Sequence, residues 1–145
     1  SNLFVAGFIG APPMNFIQGK VVEQGAGVGL ELDTGVSRTV LNLPFDGKVR
    51  GHIGKDVILG LRPERITDPR HAHNAEEGKI QQVDVKVDVI EPTGPDTLVF
   101  AKVNGKRIVS RVHPGANPQP EQNMKLLFDV SKAVLFDPAT EERIA

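Results

Sequence analysis

The sequence predicts an all-β chain: either one split barrel with an elaborated second half, or two small barrel-like lobes, entered through the end of a short helix. Three observations lead there. Apolar and polar residues alternate in short runs, most cleanly at Val83, Val85, Val87 and Val89, with Asp84, Lys86 and Asp88 between them. The runs are brief and bounded by Gly, Pro or Asp, the spacing of barrels and sandwiches. The chain has 145 residues, enough for one ordinary domain to bury a core.

The opening is apolar. Phe4 and Phe8 lie one helical turn apart, as do Val5 and Ile9, so residues 3–9 read as the last turns of a helix. Gly10 stops it, and Pro12 and Pro13 prevent its resumption. Phe4, Phe8 and Ile9 are thus junction or core residues, and residues 1–13 read as the end of a helix that links from a preceding domain. Strands are expected at 14–23 and 28–32 around the tight turn Gly25-Ala26-Gly27, at 38–43 before Pro44, and at 56–61. Residues 67–78 lack apolar periodicity and read as an exposed loop dividing two lobes, 14–68 and 79–145. After the alternating strand at 83–89, Thr93-Gly94-Pro95-Asp96 turns the chain into a strand at 97–103. Asn104-Gly105 makes a hairpin into 107–112, and a Pro-rich loop precedes strands at 124–130 and 133–136.

Composition excludes several functions. There is no cysteine and no apolar run near the roughly 20 residues that cross a bilayer, which fits a cytosolic domain without thiol chemistry. A net charge of -1 with acids and bases interleaved, and seven Phe with no Trp or Tyr, offers neither the basic patch nor the stacking platforms of a nucleic-acid binder.

The chemistry-bearing patterns are thin. An ATP-binding loop ends Gly-Lys-Ser/Thr, but Gly19-Lys20, Gly47-Lys48, Gly54-Lys55, Gly78-Lys79 and Gly105-Lys106 are followed by Val, Val, Asp, Ile and Arg. Gly25-x-Gly27-x-Gly29 lacks the spacing of a dinucleotide loop. His71-x-His73 lacks a third ligand, so no metal site is expected. Ser37 lacks the closing glycine of a nucleophile elbow, and Lys86 between Asp84 and Asp88 marks a solvated face rather than an acid–base pair. No catalytic, metal or cofactor residue is predicted.

Four stretches carry a resemblance. They are Asn2-Leu3-Phe4-Val5-Ala6-Gly7-Phe8-Ile9-Gly10 with Pro13-Met14-Asn15-Phe16, then Leu59-Gly60-Leu61-Arg62-Pro63-Glu64, then Val89-Ile90-Glu91-Pro92-Thr93-Gly94 with Thr97-Leu98-Val99, and finally Leu135-Phe136-Asp137-Pro138 with Thr140, Arg143 and Ile144. In this order they resemble the C-terminal regulatory domain of the ATP-binding subunit of a maltose-type carbohydrate ABC importer. Glu141 stands where that family usually has Gly, which puts the local turn in doubt. The resemblance implies a transport-associated OB fold that holds two subunits together, cytoplasmic and peripheral at the inner face of the membrane. The parent subunit would bind ATP and Mg. Its partners would be a second copy, the nucleotide-binding domain of the same chain, the membrane subunits and cytosolic regulators, with no nucleic acid.

Four residues are singled out. Pro63 extends the backbone at Arg62 and leaves Arg62 and Glu64 as opposed charges at a strand end. They read either as a structural ion pair or as part of an inter-lobe or subunit surface. Glu91 invites the same two readings, and Phe136 of the closing motif is a further interface candidate. The alternative function is a small-ligand module for an oxyanion or sugar phosphate, with Ser110, Arg111, Thr93 and Gly94 as contributors.

Overall fold

A computed structural model describes residues 13–45, 47–71 and 80–145, the side chain of residue 71 apart, and among these described residues the chain forms eleven strands. The predicted helix with Phe4, Phe8 and Ile9 lies outside the described residues, as does His73. The strands are β1 (Asn15–Gln24), β2 (Gly27–Asp33), β3 (Arg38–Asn42), β4 (Asp56–Leu61), β5 (Ile66–Thr67), β6 (Ile80–Lys86), β7 (Val89–Pro92), β8 (Thr97–Val103), β9 (Lys106–Val112), β10 (Asn123–Asp129) and β11 (Val134–Phe136). They form one five-stranded sheet, β11-β4-β1-β2-β3, and two three-stranded sheets, β5-β10-β6 and β7-β8-β9. Every strand pairing is antiparallel.

The two stretches 14–68 and 79–145 are interlocked. β11 pairs with β4, and β5 pairs with β10, so each stretch completes a sheet of the other. Ile17, Leu30 and Leu59 from the first stretch pack in one core with Val85, Val99, Leu126 and Phe128 from the second.

The alternating run at 83–89 is not one strand. The Val87 N–H donates to the Gln122 carbonyl at 2.8 Å, on the line of β10; the Asp88 N–H donates to the Phe100 carbonyl at 2.8 Å, on the line of β8. The chain changes sheets across that peptide bond. Val83, Val85 and Val87 are at most 1% exposed, whereas Val89 is 42% exposed. Alternation reports which side of a backbone is buried, not which strand it pairs with, and so could not reveal the transfer.

Three side-chain amides join the sheets. Asn15 Nδ2 donates to the Val109 carbonyl and Oδ1 accepts the Val109 N–H, both at 2.8 Å, tying β1 to β9. Gln81 does the same for Asn42, accepting its N–H at 2.7 Å and donating to its carbonyl at 2.9 Å, which ties β6 to β3. Asn104, at the β8–β9 hairpin tip with φ 53°, accepts the Asp33 N–H at 2.7 Å. It also donates to the Gln18 and Glu31 carbonyls at 2.9 and 3.0 Å. The tip fits because Gly19 has no side chain: a Cβ there would stand 2.8 Å from Asn104 Nδ2. Thr34 adds a fourth tie, its hydroxyl donating to the Asp84 carbonyl at 2.6 Å.

Asn104→Gly keeps the left-handed backbone and removes only the amide. It should lower stability by about 1–2 kcal/mol, since each net hydrogen bond contributes about 1 and the freed Gln18, Glu31 and Asp33 backbone groups, at exposed positions, can rehydrate. Denaturant unfolding checks this, with the exposed Lys102→Ala as the control expected to stay within about 0.5 kcal/mol.

Candidate functional site

The apolar strand β4 ends at Leu61, and the chain turns through Pro63–Arg65, a single 3-10 turn that packs on β9. Arg62 takes the extended backbone that a following proline requires, φ -72° and ψ 149°. Pro63 is buried, Arg62 half-buried and Glu64 exposed. Among the described residues neither Arg62 nor Glu64 forms an ion pair. The charge that anchors this turn belongs to Arg65, whose Nη1 lies 3.1 Å from Asp129 Oδ2 on β10.

Asp129 is largely shielded and also accepts the Ser131 hydroxyl at 2.6 Å and its N–H at 3.0 Å. Burial alone raises its pKa, but the Ser131 bonds and the Arg65 guanidinium outweigh that and hold the carboxyl below its ordinary value. Sequence inspection missed Arg65 and Asp129 because they lie 64 positions apart and neither sits in a recognisable pattern.

Glu91 is exposed on β7, opposite Leu98 of β8. The 62–65 turn borders the sheet at β9, whereas Glu91 occupies the far edge strand. Glu91 therefore stands two strands away from the edge that the turn borders. Phe136 is 1% exposed. Its ring packs edge-on to Phe16, centroids 6.2 Å apart, and covers Gly60, where a Cβ would lie 3.2 Å from Phe136 Cε2 and 2.7 Å from Met14 Sδ. Three of the four motif stretches thus meet along β1-β4-β11.

Of the candidate oxyanion groups, Thr93 and Arg111 meet at Asp96, whose carboxylate already occupies the guanidinium, and Ser110 lies on the other face. Ser110 points inward and donates to the Val99 carbonyl at 3.1 Å, while its neighbour Arg111 faces outward beside Leu98. The Thr93 hydroxyl is engaged by the Asp96 carbonyl at 3.0 Å. A cleft of about 460 Å³ opens beside the Asn104 hairpin, but Asp33, Asp88 and Glu121 there outnumber Lys86 and Lys102. Lys86 is held at 2.9 Å by Glu121, which keeps its ammonium above the ordinary value. Among the described residues no group of His, Asp and Glu is placed to hold a metal ion.

These features define a class: an all-β domain of the OB type. The chain belongs to the TOBE domain family, whose model matches residues 59–136, and the MalK OB fold domain model matches residues 10–66. The two overlap where β4 runs into Arg62-Pro63-Glu64. The chain is 32% identical over 148 residues to the oligosaccharides import ATP-binding protein MsmX of Bacillus subtilis, covering 99% of this chain and 38% of that protein. It is 35% identical over 143 residues to the sulfoquinovosyl glycerol transport ATP-binding protein SmoE of Agrobacterium fabrum (99% and 37%). It is 33% identical over 147 residues to the trehalose/maltose import ATP-binding protein MalK of Thermococcus litoralis (99% and 38%). The chain therefore spans less than two fifths of each of these relatives. Among solved structures it resembles the molybdate-binding protein ModG with TM-score 0.52 at 16% identity, covering 86% of this chain and 96% of that one, a likeness of fold alone.

Two outcomes follow from this geometry. Because the Asp129 pKa is depressed in the folded state, its contribution to stability is present above the unfolded carboxylate value of about 3.9 and is lost as pH falls through the folded value. Asp129→Asn should therefore destabilise the chain at pH 6, and the gap from wild type should narrow progressively toward pH 3 in urea titrations. Glu141 occupies the left-handed region at φ 60°. That conformation costs a non-glycine residue about 1–2 kcal/mol, part of which the looser unfolded chain takes back. Glu141→Gly should thus gain about 0.5–1 kcal/mol, read as a melting temperature a few degrees higher.

Proposed function

We propose that the chain is the C-terminal regulatory and dimerisation domain of the ATP-binding subunit of a carbohydrate importer, with no catalysis of its own. The observation that carries this reading is the pattern of coverage. Relatives named as import or transport ATP-binding proteins match along 99% of this chain, yet it accounts for only 37–38% of their length. ATP and Mg would be held by the remainder of the parent subunit, which residues 1–13 would join to this domain. The substrates named for those relatives, oligosaccharides, trehalose/maltose and sulfoquinovosyl glycerol, support a sugar-bearing cargo. The partners are a second copy, the nucleotide-binding domain of the same subunit, the membrane subunits and cytosolic regulators, at the inner face of the membrane. Within this reading Arg62, Glu64 and Glu91 are surface contacts, while Phe136 supports β4 from behind.

The test uses the full-length subunit. Arg62→Ala should reduce the nucleotide-free dimer several-fold or weaken regulation, with ATP affinity within about twofold, a change below 0.5 kcal/mol. An unchanged dimer with impaired nucleotide binding would refute the assignment. So would micromolar ATP binding by the 145-residue chain alone in calorimetry.

A further inference from the structure

The outward face of β7-β8-β9 carries more apolar surface than a solvated sheet face needs. The register sets two rows across it. One row is Val89, Phe100 and Val109; the next is Glu91, Leu98 and Arg111. Val89 is 42% exposed and Phe100 and Val109 are half-buried, whereas Leu98 at the centre of the second row is 9% exposed. In β8 the run Leu98-Val99-Phe100-Ala101 is apolar on both faces, the pattern of a strand buried from both sides. The inner residues Val99 and Ala101 meet the core, while Phe100 is half-buried, with the Arg107 guanidinium 5.5 Å from its ring centre.

A second observation lies at the edge of the same face. Arg111 reaches Asp96 through Nη1 at 3.6 Å, yet its Nε–H is shielded from solvent with no acceptor. A buried donor without a partner is uncommon and costly. Arg111 is therefore a guanidinium only partly paired, next to an apolar strip, and Glu91 in the same row has no ion pair among the described residues.

We propose that this face is where two copies of the chain pair, about a two-fold axis lying in the face and running along β8. The proposal rests on the dimerisation reading above and adds its location and geometry. The operation lays β7 of one copy across β9 of the other while each row keeps its height. Val89 then meets Val109 of the second copy, the two Phe100 rings meet on the axis, and Glu91 meets Arg111, each cross-pair occurring twice. A two-fold contact must be self-complementary in this way. The face has the composition for it: an apolar centre with an aromatic, and arginines at its border. Arg107, already bound to Asp88 at 3.2 Å, lies at the other border, so both ends of the strip carry charges of both signs.

The experiment uses the 145-residue chain, which contains no cysteine. Sedimentation equilibrium measures self-association of wild type, Glu91→Arg, Arg111→Glu and the double swap. Each single reversal should weaken the dimer about tenfold or more by setting like charges together, and the double swap should restore it. In parallel, Lys102→Cys, exposed on β8 and therefore on the axis one row along from Phe100, should be cross-linked between copies by a short bismaleimide, and Lys48→Cys on the 47–52 turn should not. Thermal unfolding confirms that each variant folds. If wild type dimerises but neither reversal weakens it and Lys102→Cys does not cross-link, the face is wrong while dimerisation stands. If wild type remains monomeric at millimolar concentration, both fail.

Discussion

Three sheets can share one core only if the backbone groups where they meet find partners, because a buried N–H or C=O without one costs as much as a lost hydrogen bond. This chain meets that constraint with side-chain amides. A carboxamide has the donor and acceptor of a peptide group, so Asn15 and Gln81 each pair with a strand residue as another strand would. Asn104 serves two strands at once from a hairpin tip. Five-stranded and three-stranded sheets are thereby stitched without a continuous barrel ladder. The positions of the amides fix how the sheets sit on the core.

Several glycines follow from the same closeness. Gly19 leaves room for the Asn104 amide, and Gly60 lets Met14, Val134 and Phe136 lie directly on β4. The motif stretches are dispersed in sequence because the strand order β11-β4-β1 brings the chain's last strand and its first onto the two sides of the fourth. The Phe16–Phe136 contact seals this arrangement from outside. Arg62-Pro63-Glu64 is then fixed by its exit from β4, and its orientation is held one residue later by Arg65 on Asp129.

The cleft beside the Asn104 hairpin mixes carboxylates with ammonium groups, and the Ser110 and Thr93 hydroxyls are engaged with carbonyls, so these described groups hold no concentrated positive charge for a small anion. The informative surface is the β7-β8-β9 face, where an apolar row adjoins an incompletely paired arginine. The depressed Asp129 carboxyl belongs to the internal lock between the 62–65 turn and β10, away from that face.

The strands were legible because each rests on local rules: period-two burial, Gly and Pro at the ends, and Asn104-Gly105 at a turn that needs positive φ. Phe136 and the Arg62-Pro63-Glu64 turn could be singled out by motif, but their burial and neighbours could not, nor could Arg65 and Asp129. What the sequence by itself determined is the all-β class, the position of most strands, the absence of a phosphate loop, and the family that the four ordered motifs resemble. What only the tertiary structure decided is which strands share a sheet, the change of sheet between Val87 and Asp88, and the partners of the bridging amides. Those depend on contacts between residues as many as 94 positions apart, such as Asn15 with Val109. A local pattern records whether a side chain is buried, and says nothing of what lies on the other side.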